Sequence, residues 1–236
     1  MNKIVLEEIK SNYVEFKDNG RYSLEEFDSK KFIVKKEKDI VIDIVNENDI
    51  DSEYVFDVEE NSSLTINIFD ASKKINRNIS ININGESSNV LLNISSISLC
   101  ENNYNINVYH NSKNTTSNTN VHGLALDNNK IFIKNNGYIK NGSQNSKLNQ
   151  DNKIIIMCDN NSKIEPNLFI DEYDVEASHG AYIGKFDEEE LFYLNSRGLD
   201  DKMSYNLLIN GFLMGELDLD ESMMEKLKDI IYKYVK

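Results

Sequence analysis

One proline, two cysteines and no tryptophan occur in the 236 residues. Two isolated thiols, Cys100 and Cys158, cannot build a disulfide framework and suit a reducing compartment. Both end apolar stretches and are expected as small core residues. Basic residues are scarce too: 26 lysines and arginines against 40 acids leave a net charge of −14. That charge repels nucleic acid and anionic membrane surfaces, so neither is expected as a partner. No apolar run approaches the roughly 20 residues that span a bilayer. Glu7 and Glu8 interrupt Met1–Lys10, where a secretory leader needs an unbroken apolar stretch. The expectation is a soluble, acidic, cytoplasmic chain, long enough to bury a core without metal or disulfide staples.

Asparagine, by contrast, is abundant, with 35 copies. A codon-biased genome accounts for such a count, and so do turns in which Asn holds left-handed backbone; both readings can apply. From about Lys31 to Ile170 apolar residues alternate with polar ones. Ile40, Ile42 and Ile44 form one such set; Leu64, Ile66 and Ile68 another; Ile79, Ile81 and Ile83 a third; Tyr104, Ile106 and Val108 a fourth. Period-two alternation marks half-buried strands. Strand starts are expected at Ile40, Tyr54, Leu64, Ile79, Val90 and Tyr104, with polar clusters between them. Only Asn84-Gly85, of the five Asn-Gly pairs, lies squarely between two strong strands as a hairpin would require. Outward positions carry Asn, Ser and Thr, which stack well between parallel coils. Periodicity alone therefore leaves a β-solenoid and a β-sandwich both open.

The pattern changes at Asp187. This residue can cap a helix opened by Glu188, Glu189 and Glu190, with Gly198 after Arg197 as its stop. Asp200 or Asp201 starts a second helix, and Asp220 caps a third in which Met223, Leu227, Ile230, Ile231 and Tyr234 share one face. Three short amphipathic helices cannot bury their apolar faces alone, so they need the β body, a partner, or both. The expected organisation is a short N-terminal segment (1–30), a β core (31–185) and a helical C-terminal domain (186–236). A brief helix is expected around Ser23–Phe27.

No nucleotide-binding loop, nucleophile elbow, HExxH or CxxC is present. His110, His122 and His179 are scattered, and their spacing shows no converging metal ligands. A self-sufficient enzyme is not expected. The segment from Pro166 to Phe212 is more specific. It runs through Ala177-Ser-His-Gly-Ala-Tyr-Ile-Gly184, Glu190-Leu-Phe-Tyr-Leu194, Ser196-Arg-Gly-Leu199 and Gly211-Phe212. It closely resembles the C-terminal signature of the SufB/SufD family, core components of the SUF iron–sulfur cluster assembly machinery. A weaker collinear match extends back through His110, Ser112, Thr115, Thr116, Gln150, Asn152 and Ile154.

The resemblance implies a right-handed parallel β-helix followed by a small helical domain. Family members pair through their β-helix ends and dock C-terminal helices on SufC, an ABC-type ATPase. Ser178-His179-Gly180 is SufD-like, where the scaffold paralogue SufB has an acid beside its histidine. By resemblance His179 faces the partner's cysteine across the interface and touches iron transiently, and Cys158 is a weaker candidate for the same cluster. The ATPase-docking candidates are Leu191, Phe192, Arg197, Leu207, Leu208 and Phe212. Arg197 could instead pair with the acids at Asp187–Glu190. No tightly bound cofactor is expected, only transient iron or a nascent cluster at a subunit interface. The family's N-terminal helical region looks short or missing here. The expected role is therefore a non-catalytic SufD-like subunit, paired with a SufB-type scaffold. Alternatives are a homodimeric scaffold carrying the cluster itself, or, remotely, a β-solenoid carbohydrate-binding or carbohydrate-active protein.

Overall fold

The structure, a computed structural model, describes residues 13–24 and 29–235. Twelve strands come first: β1 (Tyr13–Phe16), β2 (Gly20–Ser23), β3 (Ser29–Val34), β4 (Asp39–Asn46), β5 (Ile50–Val58), β6 (Ser63–Ile83), β7 (Asn89–His110), β8 (Thr116–Ala125), β9 (Lys130–Ile139), β10 (Ser146–Ile156), β11 (Lys163–Ile170) and β12 (Val175–Gly184). Three helices follow: α1 (Glu188–Ser196), α2 (Asp201–Met214) and α3 (Glu221–Tyr234). All strand pairs among the described residues are parallel. A sandwich built on antiparallel hairpins is thereby excluded. The chain winds a parallel β-solenoid of about six coils. Bonded positions on successive coils lie 24 residues apart early in the chain and 31 apart later.

One face stacks β2, β4, the first half of β6, the first half of β7, β8, β10 and β12. The other stacks β1, β3, β5, the second halves of β6 and β7, β9 and β11. Strands therefore begin before Lys31 and continue past Ile170 to Gly184. Ser23, expected in a short helix, ends β2; the rest of that expectation past Leu24 lies outside the described residues.

Alternation puts one residue in two inside. Ile40, Leu64 and Val90 share an inward column, as do Ile42, Ile66 and Leu92, and all six are buried. Phe16, Phe32 and Phe56 stack through the early coils, with centroids 6.2 and 4.8 Å apart. Each such side chain withdrawn from water contributes about 1.5–3 kcal/mol.

Outside, asparagines form rows. Asn67 donates to Asp43, Asn93 to Asn67 and Asn120 to Asn93, at 2.8–3.0 Å. Asn136 donates to Asn107 and Asn167 to Asn136 on the second face. Left-handed turns use few of the 35 asparagines: only Asn61, Asn114 and Asn145 among the described residues have positive φ. They share one corner with Glu37 and Ser87, and each of the five donates its backbone N–H to the next coil. Asn84-Gly85 is a corner, not a hairpin. A Cβ on Gly85 would lie 1.9 Å from the backbone nitrogen of Glu60, so the coils touch there only because it is absent.

Asp187, Asp200 and Asp220 cap the three helices as their sequence signals indicate. α2 and α3 lie against the flank of the body. Ile209, Leu213, Leu217, Leu227, Ile230 and Ile231 form a second core with Phe69, Ala71, Ile97, Leu124 and Ile155. Arg21 ties this seam, reaching the Asp218 carbonyl and carboxylate at 2.7 and 2.8 Å and Asp43 at 3.3 Å. No described helix is long and apolar enough to cross a membrane.

Candidate functional site

Register places His179 in the middle of β12, opposite Gln150 of β10, which faces Thr119 of β8 on its other side. This inward column is apolar through Tyr22, Ile42, Ile66 and Leu92 and turns polar in the last three coils. His179 is nevertheless exposed, because no described strand lies beyond β12. β11 likewise pairs only with β9. The terminal coil thus ends in two free strand edges, with Phe169, Ile170, Tyr173, Tyr182 and Ile183 exposed beside them. Unpaired backbone groups flanked by apolar side chains are a template for adding another strand.

The residues flanking His179 are pinned to the coil beneath. Ser178 donates to the Asn149 side-chain oxygen at 2.7 Å, and Asn152 donates to the Gly180 carbonyl at 3.1 Å. Below them Asn135 donates to Thr119 and to Asn152. Among the described residues, no group of three or more His, Cys, Asp and Glu side chains is arranged to hold a metal ion. His179 belongs to no such group.

The other histidines sit elsewhere. His110 is buried, with both ring nitrogens 2.7 Å from the Thr115 and Ser117 hydroxyls, and burial pushes its pKa down to about 4. It is a neutral structural residue. His122 lies under the helical tail, its ring stacked on Phe212 at 4.7 Å, with Nδ1 donating to the Phe212 carbonyl at 3.1 Å.

Both cysteines depart from the expected core position and are exposed. Cys100 lies at the corner of β7 between Ser98 and Glu101, where pairing with β6 shifts register and alternation no longer directs side chains inward. Cys158 lies in a bend after β10, whereas Gln150, the partner of His179, sits in the middle of that strand. The fold thus places Cys158 around a corner from His179.

In the tail, Phe192 is 75% exposed, and Tyr193, Met203 and Leu207 stand out beside it, while α1 buries none of its residues. Leu191 and Leu208 are half-buried, and Phe212 is committed to the His122 stack. Arg197 lies over the Tyr193 ring at 5.1 Å and forms no ion pair among the described residues, so pairing with Asp187–Glu190 does not occur. Gln150, not named as a site residue from the sequence, is the register neighbour of His179. Its signal was a long polar side chain at an inward position of the Leu148, Gln150, Asn152, Ile154 series.

The family model for the SufBD core domain of SUF system FeS cluster assembly matches residues 48–212, which include both halves of this surface. The iron–sulfur cluster assembly protein SufD of Bacillus subtilis is 31% identical over 119 residues, covering 49% of this chain and 27% of that protein. SufD of Escherichia coli is 42% identical over 48 residues, 20% of this chain and 11% of its own length. A SufBD family protein of Pyrococcus horikoshii is 44% identical over 59 residues, 25% and 13% of the two chains. The alignments thus span about a quarter or less of each relative.

Proposed function

Because the chain belongs to the SufBD family of SUF iron–sulfur cluster assembly proteins, we propose that it is a SufD-type assembly subunit whose open terminal coil pairs with a SufB-type scaffold. In this reading β11 and β12 add to the partner's edge strands, and His179 meets iron and the partner's cysteine at the junction. Phe192, Leu207 and their exposed neighbours on α1 and α2 form the surface for a SufC-type ABC ATPase. ATP hydrolysis belongs to that partner, and the setting is cytoplasmic. The single observation that carries the reading is His179 standing exposed on an unpaired edge strand, inside the stretch that matches the family. Iron is cargo here, shared across the interface and held by ligands from both sides.

The test is co-purification of the chain with a cognate scaffold and ATPase. Ile183→Asp on the open edge should release the scaffold and keep the ATPase. Phe192→Glu with Leu207→Glu should do the reverse. His179→Ala should leave both partners bound while cluster loading falls. Retention of both partners by all three variants with unchanged loading would overturn the proposal, and self-association of the chain through the same edge would replace the scaffold with a second copy.

A further inference from the structure

We propose that the open end of the solenoid selects an unlike partner. Its last coil offers acceptors and negative charge, so the strand that faces it brings lysine or arginine donors, with one arginine seated on the Tyr173 ring. The inference rests on the reading of β11 and β12 as a pairing edge and names what that edge accepts.

The last coil, from Lys163 to Lys185, carries five acids against two lysines. Lys163 is already paired with Glu165 of its own strand. Glu176 of β12 takes Lys147 from the coil beneath at 2.9 Å. Asp171 and Asp174 are exposed and form no ion pair among the described residues. Side-chain donors beside the two edges are spent on the coil beneath or on the strand itself. Asn167 has two amide hydrogens, one given to Asn136 at 3.0 Å and one to the Glu165 carbonyl at 3.3 Å. What it can offer a newcomer is its oxygen. Ser178 gives its single hydroxyl hydrogen to Asn149 at 2.7 Å and likewise keeps only acceptor capacity.

A second copy fits this surface badly. Two identical ends brought together on a two-fold axis place the same patch on both sides. Acceptors then face acceptors, and like charges on neighbouring strands destabilise the pairing. A strand rich in lysine or arginine reverses both terms and is also drawn in from a distance.

Tyr173 narrows the choice. It is 100% exposed on the turn between β11 and β12, with Asp171 and Asp174 on either side. Both ends of the turn are tied to the coil beneath. Asp171 N–H donates to the Ile139 carbonyl at 2.8 Å, and Asn145 N–H donates to the Asp174 carbonyl at 2.6 Å. Glu172 accepts the Gly142 and Tyr173 N–H groups at 2.9 and 2.8 Å, and these bonds hold its carboxyl below the usual range. A ring displayed on a fixed turn loses little freedom when it is covered. A guanidinium suits it, because its flat face stacks on an aromatic ring while its edge pairs with a carboxylate.

The full chain is measured alone by sedimentation, and with its cognate scaffold by association and dissociation kinetics. Alone, it should stay monomeric at low salt. Raising salt from about 50 to about 500 mM should slow association with the scaffold about tenfold. Asp171→Asn with Asp174→Asn should slow low-salt association about fivefold and flatten its salt dependence. Tyr173→Ala should speed dissociation about tenfold, whereas Tyr173→Phe, which keeps the ring, should not. Dimerisation of the chain alone through this edge, abolished by Ile183→Asp, would overturn the proposal. So would Tyr173→Ala dissociating at the parental rate, or association indifferent to salt and to the two aspartates. If Ile183→Asp still abolished scaffold binding in those cases, the edge-pairing reading would stand without this inference. Scaffold binding that survives Ile183→Asp would remove both.

Discussion

Arg77 and Asp70 lie on opposite sides of one corner of β6 and meet inside the solenoid as a two-pronged pair. Nε reaches Oδ2 at 2.8 Å and Nη2 reaches Oδ1 at 2.6 Å, with both side chains fully buried. Tyr104 also donates to Asp70 at 2.9 Å, and Asn46 at 3.2 Å, so the carboxylate is satisfied on every side. Burial, with Asp70 beside it, holds the Tyr104 hydroxyl well above its usual pKa.

Removing one partner should therefore cost more than removing both. Arg77→Met strands a buried carboxylate and should destabilise the fold by about 3–5 kcal/mol. Arg77→Met combined with Asp70→Leu should recover part of that loss. Urea unfolding of the two variants decides it, and a double variant weaker than the single one would contradict the expectation.

His110 gives the protein a pH dependence of known sign. Its folded pKa is about 4, against roughly 6.5 in the unfolded chain. Between those values the unfolded chain binds a proton that the folded one refuses. The contribution is complete above pH ~6.5, is lost progressively as pH falls toward 4, and amounts to about 3 kcal/mol in full. His110→Gln should flatten stability against pH in this window. An equal slope in parent and variant would exclude the assignment.

Asn136 sits in a row, donating to Asn107 and accepting from Asn167, and is 3% exposed. Asn136→Asp removes the donor and sets a carboxylate against the Asn107 oxygen. The expected loss is about 1–3 kcal/mol, measured by thermal unfolding. The half-buried Asn103, which donates to Glu101 of its own strand and belongs to no row, should lose less when changed to Asp.

The tail should loosen from the body through Arg21. Arg21→Met deletes the contacts to Asp218 and Asp43 and leaves Asp43 buried, where desolvation already raises its pKa. Amide exchange in α2 and α3 should speed up while the strands of the body keep their protection. Uniform acceleration throughout would mean that tail and body unfold as one unit.

The strands were readable because a period of two survives any tertiary context. The starts expected at Ile40, Leu64 and Val90 fall within a residue of β4, β6 and β7. The choice between sandwich and solenoid was not readable from that period, since parallel and antiparallel neighbours impose the same alternation. It took the pairing of Leu64 with Ile40 and Val90, both parallel, to decide it. The cysteines were misplaced for a local reason: alternation was extended through corners where it does not hold. The helix caps were legible because Asp187, Asp200 and Asp220 act within one turn. What the helices lie against was not, because Leu213 meets Leu124 only after the chain has wound back on itself. At the open end, His179 was legible from its flanking residues, whereas the polar column beneath it, Gln150 and Thr119, emerges only from strand register.

The outer asparagine rows all lean one way. Each amide nitrogen donates to the preceding coil, and the rows through Asn67 and Asn82 end on Asp43 and Asp57, which can only accept. Arg21 and Lys31 close those acids from below. A middle rung therefore offers an oxygen above and a nitrogen below, the same interface its neighbours offer. Rungs of this kind can be duplicated or deleted as modules without rewriting the ones that remain. The rungs that carry Asp43 and Asp57 cannot be exchanged so freely, because those acids set the donor direction of the rows that rest on them, and that makes length the easiest property of this molecule for evolution or an engineer to change.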